Sequence, residues 1–143
     1  MVVAGLMQGS QPHDLGRGRQ FIIQGPPVPQ GRPRVTRSGR VYYSQKQTAY
    51  RKQLISAFLA QNGGLGEFDG PVHITILLSR PRRNSDLDNH AKMILDALVQ
   101  AGILDDDRSD KVRGLSIRAV WQETAYTNIW IHKWNDALIA DGR

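Results

Sequence analysis

The chain has 143 residues, with 19 Lys and Arg against 13 Asp and Glu, and no cysteine. That length suits one domain able to bury a core without staples. The lack of cysteine removes disulfides, thiolate zinc sites and cysteine nucleophiles, and it is compatible with a reducing cytoplasm. A net charge of +6 and an isoelectric point near 10.1 point to an anionic partner. No apolar run approaches the roughly 20 residues that span a bilayer, so no membrane is expected as partner.

Residues 1–18 read as a loose N-terminal tail: a short apolar patch without the positive start of a signal peptide. Residues 19–143 read as a single domain. QFIIQG, Gln20–Gly25, is a strand candidate, and PPVPQGRPR after it is a loop punctuated by Pro and Gly. VTRSGRVYYS predicts a hairpin, with Val35–Arg37 and Arg40–Tyr43 flanking a Ser38-Gly39 turn. Ser44 is a candidate N-cap. It opens a helix to about Asn62, with Tyr50, Leu54, Ile55, Phe58 and Leu59 on one face and Gly63-Gly64 as its stop.

Gly70-Pro71 leads into the β-branched strand Val72–Ser79. A second helix is expected from about Asp88 to Gln100, where Leu87, Ala91, Ile94, Leu95 and Leu98 recur at helical spacing and Gly102 ends it. Two further strands are expected, near Val112–Gln122 and Tyr126–Trp134, followed by a last helical turn in NDALIADGR. The sum is an α+β fold, a single mixed sheet packed with two main helices.

Charge is unevenly placed. No Asp or Glu lies between Leu15 and Gly66, a stretch holding Arg17, Arg19, Arg32, Arg34, Arg37, Arg40, Lys46, Arg51 and Lys52. The acids gather instead between Asp86 and Asp110. A basic arm beside an acidic knot suits a nuclease: the arm attracts phosphates and the knot holds metal. Asp86 and Asp88 flank Leu87 at the mouth of the second helix. If Leu87 turns inward, both carboxylates face one side, where they repel unless a proton or cation intervenes. Mg²⁺ commonly takes only one or two carboxylates, with phosphate and water completing its shell. The plainer reading is that Asp88 is an N-cap.

Lys92, one turn after Asp88, can neutralise the acids or touch a phosphate; its plainer role is a surface ion pair. Asp105, Asp106, Asp107 and Asp110 are not an EF-hand, because the sixth loop position is Asp110 and the twelfth Ser116. A third metal ligand from this run is attractive, yet a 13-residue helix spans roughly 20 Å. Asp107 reaches Asp86 only if the chain reverses sharply at Gly102; otherwise the ligand comes from a partner chain. His73 and His132 fall in strand candidates and read as packing or surface residues, while His90 sits close enough to the acids to stay open.

The string DLDNHAKMILDALVQAGILDDD, Asp86 to Asp107, resembles the signature of the RusA family of Holliday-junction resolvases. The matching positions are Asp86-Leu87-Asp88-Asn89, Lys92, Asp96-Ala97-Leu98, Ala101-Gly102 and Asp106-Asp107. GPPVPQGRPRVTR and YYSQKQTAYRKQL resemble, more weakly, the N-terminal segment and first helix of phage-type members. The resemblance implies a Mg²⁺-dependent endonuclease, with Mn²⁺ as a substitute, acting as a homodimer on four-way DNA junctions in recombination and repair. It assigns metal and catalytic roles to Asp86, Asp88 and Asp107, with Lys92 as catalytic cation. Asp105 departs from the apolar residue usual before the acidic pair, which leaves Asp106 as an alternative ligand.

On this reading Arg80, Arg82 and Arg83, just before the acids, contact phosphates; Arg32, Arg34, Arg37, Arg40 and Lys46 grip a junction arm. Paired symmetrical incisions leave 5′-phosphate ends in the cytoplasm of a bacterial or phage-infected cell, and no small-molecule cofactor is needed. The competing readings are a non-catalytic basic DNA-binding protein and, less well supported by a chain this short, a nucleotide-sugar enzyme built on the Asp-x-Asp string.

Overall fold

A computed structural model describes residues 18–134. The tail expected at residues 1–18 and the helical turn expected in NDALIADGR lie, Gly18 apart, outside the described residues. The main sheet has four strands: β1 (Gly18–Gln24), β4 (Val72–Ser79), β5 (Val112–Val120) and β6 (Tyr126–Lys133). Their spatial order is β1-β6-β4-β5, with β4 and β5 parallel and the other pairings antiparallel. The hairpin stands apart as a two-stranded ribbon, β2 (Arg34–Val35) and β3 (Val41–Tyr42). With helices α1 (Gln45–Asn62) and α2 (Leu87–Gln100), this is the expected mixed-sheet α+β fold.

Strand alternation makes the core. Val72, Ile74, Ile76 and Leu78 of β4, Ile129 and Ile131 of β6, and Phe21 and Ile23 of β1 are buried. Each such side chain contributes roughly 1.5–3 kcal/mol on burial. Helix α1 meets this face with Tyr50, Leu54, Phe58 and Asn62, one row at four-residue spacing. Phe58 meets Phe21 edge to face at 5.2 Å, and the buried Tyr50 hydroxyl lies 2.8 Å from Thr127 Oγ1. The expected face included Leu59, which is exposed instead. Its place in the row falls a residue past Phe58, on the solvent side.

Helix α2 buries His90, Ala91, Met93, Ile94, Ala97 and Leu98. Leu87, expected to turn inward, is 38% exposed; the helix starts one residue earlier than the periodicity suggested, and Leu87 occupies its outer first turn. Gly102, at φ +75°, closes the helix. Its N–H reaches Val99 O at 3.0 Å and that of Ile103 reaches Leu98 O at 3.0 Å, both bonds of a Schellman cap.

Strand β4, helix α2 and strand β5 form a βαβ crossover. In such a unit the helix runs back against both parallel strands. The N-terminus of α2 therefore shares an end of the domain with the carboxyl ends of β4 and β5. Its C-terminus shares the other end with their beginnings. Ligand sites in crossover sheets favour the carboxyl end.

Candidate active site

The loop from Arg80 to Asp86 is held from two sides. Arg80 turns the chain out of β4 at φ 63°, a left-handed conformation that costs a non-glycine residue about 1–2 kcal/mol. Its N–H bonds Val120 O at 2.8 Å and its guanidinium Nη1 donates to Gln122 O at 3.0 Å. Trp121 Nε1 donates to Pro81 O at 3.1 Å, and the Arg83 guanidinium lies 4.5 Å above the Trp121 ring. The end of β5 thus fixes one side.

The other side is fixed by α2. Ser85 Oγ donates to Arg82 O at 2.6 Å and lies 2.8 Å from His90 Nε2. With the serine proton committed to the carbonyl, the imidazole must donate through Nε2–H, as the neutral Nε2–H tautomer does. Burial agrees with this, lowering the His90 pKa to about 4. His90 is therefore a brace inside the fold and not a cationic contact for phosphate.

This brace delivers Asp86 to the N-cap of α2, at φ −86° and ψ 134°. Its carboxylate makes no capping hydrogen bond. Asp88 lies in the first turn, with Lys92 one turn on, and all three residues are exposed. Among the described residues none of the three forms a side-chain hydrogen bond or ion pair. The capping explanation of the acids fails on this point, since neither carboxylate is used as a cap. The positive end of the helix dipole stabilises both. Two free carboxylates at an open helix end fit a Mg²⁺ ion whose remaining ligands are water and phosphate.

A cleft opens beside them. The loop Gln30–Pro33 crosses the first turns of α2, with Gln30 N–H on Asn89 O at 3.1 Å. Arg51 Nη2 holds Gln30 Oε1 at 2.7 Å, and Gln47 Oε1 accepts from Gly31 N–H at 2.9 Å. The resulting cavity of about 380 Å³ is lined by Gln30, Gly31, Arg32, Pro33, Tyr43, Asn89 and Lys92. Its rim is cationic and one wall is aromatic, so a nucleic-acid strand beside Lys92 meets both charge and a ring.

The second acidic run lies elsewhere. Asp105 pairs with Lys111 at 3.4 Å, and Lys111 O accepts from Val72 N–H at the start of β4. Arg108 takes Asp110 at 3.1 Å and Asp106 at 3.6 Å, while Asp106 Oδ1 also accepts the N–H of Asp107. Only Asp107 of this run keeps a carboxylate without such a partner among the described residues. The run sits at the C-terminal end of α2, whose 14 residues span about 21 Å. Gly102 does reverse the chain, but it sends it to the start of β5, not back along the helix. One protomer therefore places Asp86, Asp88 and Lys92 in sequence along the first turns of α2, without the inward Leu87 that a shared facing of the two carboxylates was expected to need, and leaves Asp107 at the opposite end of that helix. No group of three or more His, Asp or Glu able to hold a metal occurs among the described residues.

Of the basic residues, Arg32, Arg34, Arg37, Arg40, Lys46 and Arg82 are exposed, with guanidinium or ammonium groups not engaged within the described protomer. Arg80 has given one donor to Gln122 and Arg83 stacks on Trp121, yet both remain exposed. Arg19 and Arg51, part of the basic stretch by sequence, are structural. Arg19 reaches Asn62 Oδ1 at 2.9 Å and covers the Phe68 ring at 4.0 Å; Arg51 joins Gln30 to Asp96. His73 and His132 face each other across β4 and β6 on the side of the sheet away from the helices. The Ser85–His90 brace and the Tyr43 wall were not visible in the sequence: Ser85 and His90 carry no spacing that distinguishes a brace from two surface residues.

A basic α+β protein with free carboxylates at a crossover helix and a cationic cleft beside them is built as an enzyme on a polyanion. The chain matches the family model Endodeoxyribonuclease RusA over residues 24–132 and belongs to that family. It is a Holliday-junction endonuclease. No curated protein matches it by sequence.

Proposed function

We propose that the protein is a Mg²⁺-dependent homodimer that resolves four-way DNA junctions by paired symmetrical incision, with each active site shared between two protomers. The observation that carries this reading is the free Asp86–Asp88 pair, with Lys92, on the rim of a basic cleft. Asp86 and Asp88 would hold Mg²⁺ from one side, and Asp107 of the partner subunit would complete the set. The distance between the two acidic clusters within a protomer, and the freedom of Asp107 beside its paired neighbours, support sharing. A two-fold dimer places the same two clusters of both chains in reciprocal contact.

When bound, the ion supplies Lewis-acid activation of water and charge stabilisation at the phosphate. Lys92 adds positive charge where negative charge develops on the phosphoryl oxygens. Arg82 and Arg83 hold flanking phosphates, and Arg32 at the cleft mouth holds the strand. The P–O3′ bond breaks, leaving a 5′-phosphate and a 3′-hydroxyl. The Ser85–His90 brace keeps the carboxylates in place throughout. A binding-only reading draws on the lack of a three-carboxylate group among the described residues.

One set of assays separates these readings. A labelled four-way junction and a linear duplex are incubated with the protein, with Mg²⁺ and with EDTA. Mg²⁺-dependent cutting of the junction alone is expected; no cutting in any metal leaves the binding-only reading. Asp88→Asn and Asp107→Asn are each expected to bind the junction without cutting. Co-refolded, they form heterodimers in which one shared site is intact, so cutting of one strand returns. If the mixture stays as inactive as its parents, the site is not shared.

A further inference from the structure

The β2–β3 ribbon does nothing for the core. Val35 pairs with Val41 and Arg34 with Tyr42, and all four are exposed. Val35 is 64% and Val41 60% exposed, the highest values among the large apolar side chains described. Side chains alternate across a strand. One face of the ribbon is therefore the valine pair; the other carries Arg34, Tyr42 and the next closing pair, Thr36 and Arg40. This is an amphipathic ribbon whose apolar face rests on nothing among the described residues.

It is also carefully held. Gly39 N–H bonds Thr36 O and Thr36 N–H bonds Arg40 O, both at 2.9 Å. With Gly39 at φ +87°, this is a type I turn closed by a glycine bulge. Thr36 Oγ1 accepts from Arg40 N–H at 3.0 Å and lies 2.9 Å from Ser38 Oγ. Gly31, bonded to Gln47, anchors one end, and Ser44, the N-cap of α1, anchors the other. A two-stranded ribbon is marginal alone in water, so this bonding maintains a shape that leaves two valines wet.

We propose that the ribbon is a wedge for branched DNA: its arginines hold backbone phosphates while Val35 and Val41 enter the gap between base pairs at the branch point. The proposal rests on the endonuclease reading above and names the element that selects a junction over a linear duplex. Charge favours DNA as the occupant, because no acid occurs from Leu15 to Gly66. A second copy of the ribbon would bring Arg34, Arg37 and Arg40 against their equivalents. Apolar side chains inserted between base steps stabilise opened stacks, and the cost is unstacking. At a branch point the continuous stack is already interrupted, so the wedge gains most there.

The double variant Val35→Thr/Val41→Thr keeps shape, β-branching and every arginine, and changes only polarity. Circular dichroism checks that it folds and sedimentation that its oligomeric state is unchanged. Its Kd is measured at one fixed salt concentration for a four-way junction and for a linear duplex, with 2-aminopurine at the branch reporting unstacking. Junction affinity is expected to fall about tenfold or more, equivalent to about 1.4 kcal/mol, with duplex affinity unchanged and the fluorescence rise lost. An unchanged junction-to-duplex ratio, an equal fall in both, or a loss of dimer overturns the wedge. A wild-type protein that treats junction and duplex alike overturns both the wedge and the junction reading. A wild type that prefers and cuts the junction, matched by the variant, overturns the wedge alone.

Discussion

Replacing Ser85 by alanine removes both hydrogen bonds of the brace behind Asp86. The bond to Arg82 O, at 2.6 Å, is lost at an exposed residue, where water replaces it at little cost. The bond with His90 Nε2, at 2.8 Å, is different because His90 is 1% exposed. An imidazole N–H left without an acceptor in such a place costs about 1–3 kcal/mol. For a chain of this length each kcal/mol lowers Tm by about 3 °C, so a fall of about 3–9 °C is expected. Urea unfolding followed by circular dichroism should show a lower midpoint with an unchanged slope. Ser85→Thr keeps the hydroxyl and should restore most of the loss. Cutting should fall more than junction affinity, since the brace places Asp86 and not the arginines. A Ser85→Ala protein with a wild-type midpoint would mean that His90 does not need this acceptor, and the account of the loop would be wrong.

Tyr50→Phe should destabilise by about 1–2 kcal/mol in urea unfolding, because Thr127 is fully buried and its hydroxyl loses the partner at 2.8 Å. His90 gives a pH dependence: its pKa is about 4 in the fold against 6.5 in the open chain. Between those values the unfolded state takes a proton that the folded state refuses. Its stabilising share is therefore complete above pH 6.5 and is lost as pH falls toward 4, by roughly 2–3 kcal/mol after some discount for water near the loop. Urea midpoints from pH 7 to pH 4 should show this loss, and His90→Leu should flatten it. Lys92→Ala should lower the single-turnover cutting rate about 10²–10³-fold, with junction Kd changed far less.

Local signals were sufficient for the elements. The β-branched run Val72–Ser79 became β4 residue for residue, and Ser44 and Gly63 bound α1 where cap chemistry places them. The position of Asp86, Asp88 and Lys92 at the mouth of α2 was equally legible, because neighbours in sequence share a helix end. Leu87 and Leu59 were misread because a one-residue shift rotates a helical side chain by about 100°. Periodicity fixes a face only to within that angle. Arg19 and Arg51 looked like part of the basic arm, since composition does not distinguish a cation spent on Asn62 or Gln30 from one left in water.

The sequence determined the parts: the strands, the helices, the two acids at one helix mouth and the acid-free basic stretch. These follow from near-neighbour spacing, which the backbone's own geometry enforces. Only the tertiary structure decided which parts meet. The parallel pairing of β4 with β5 forces α2 to run back against them, and that one constraint sends Asp107 to the end of the domain away from Asp86. Contacts between residues distant in the chain depend on strand order and packing, and no local spacing encodes them.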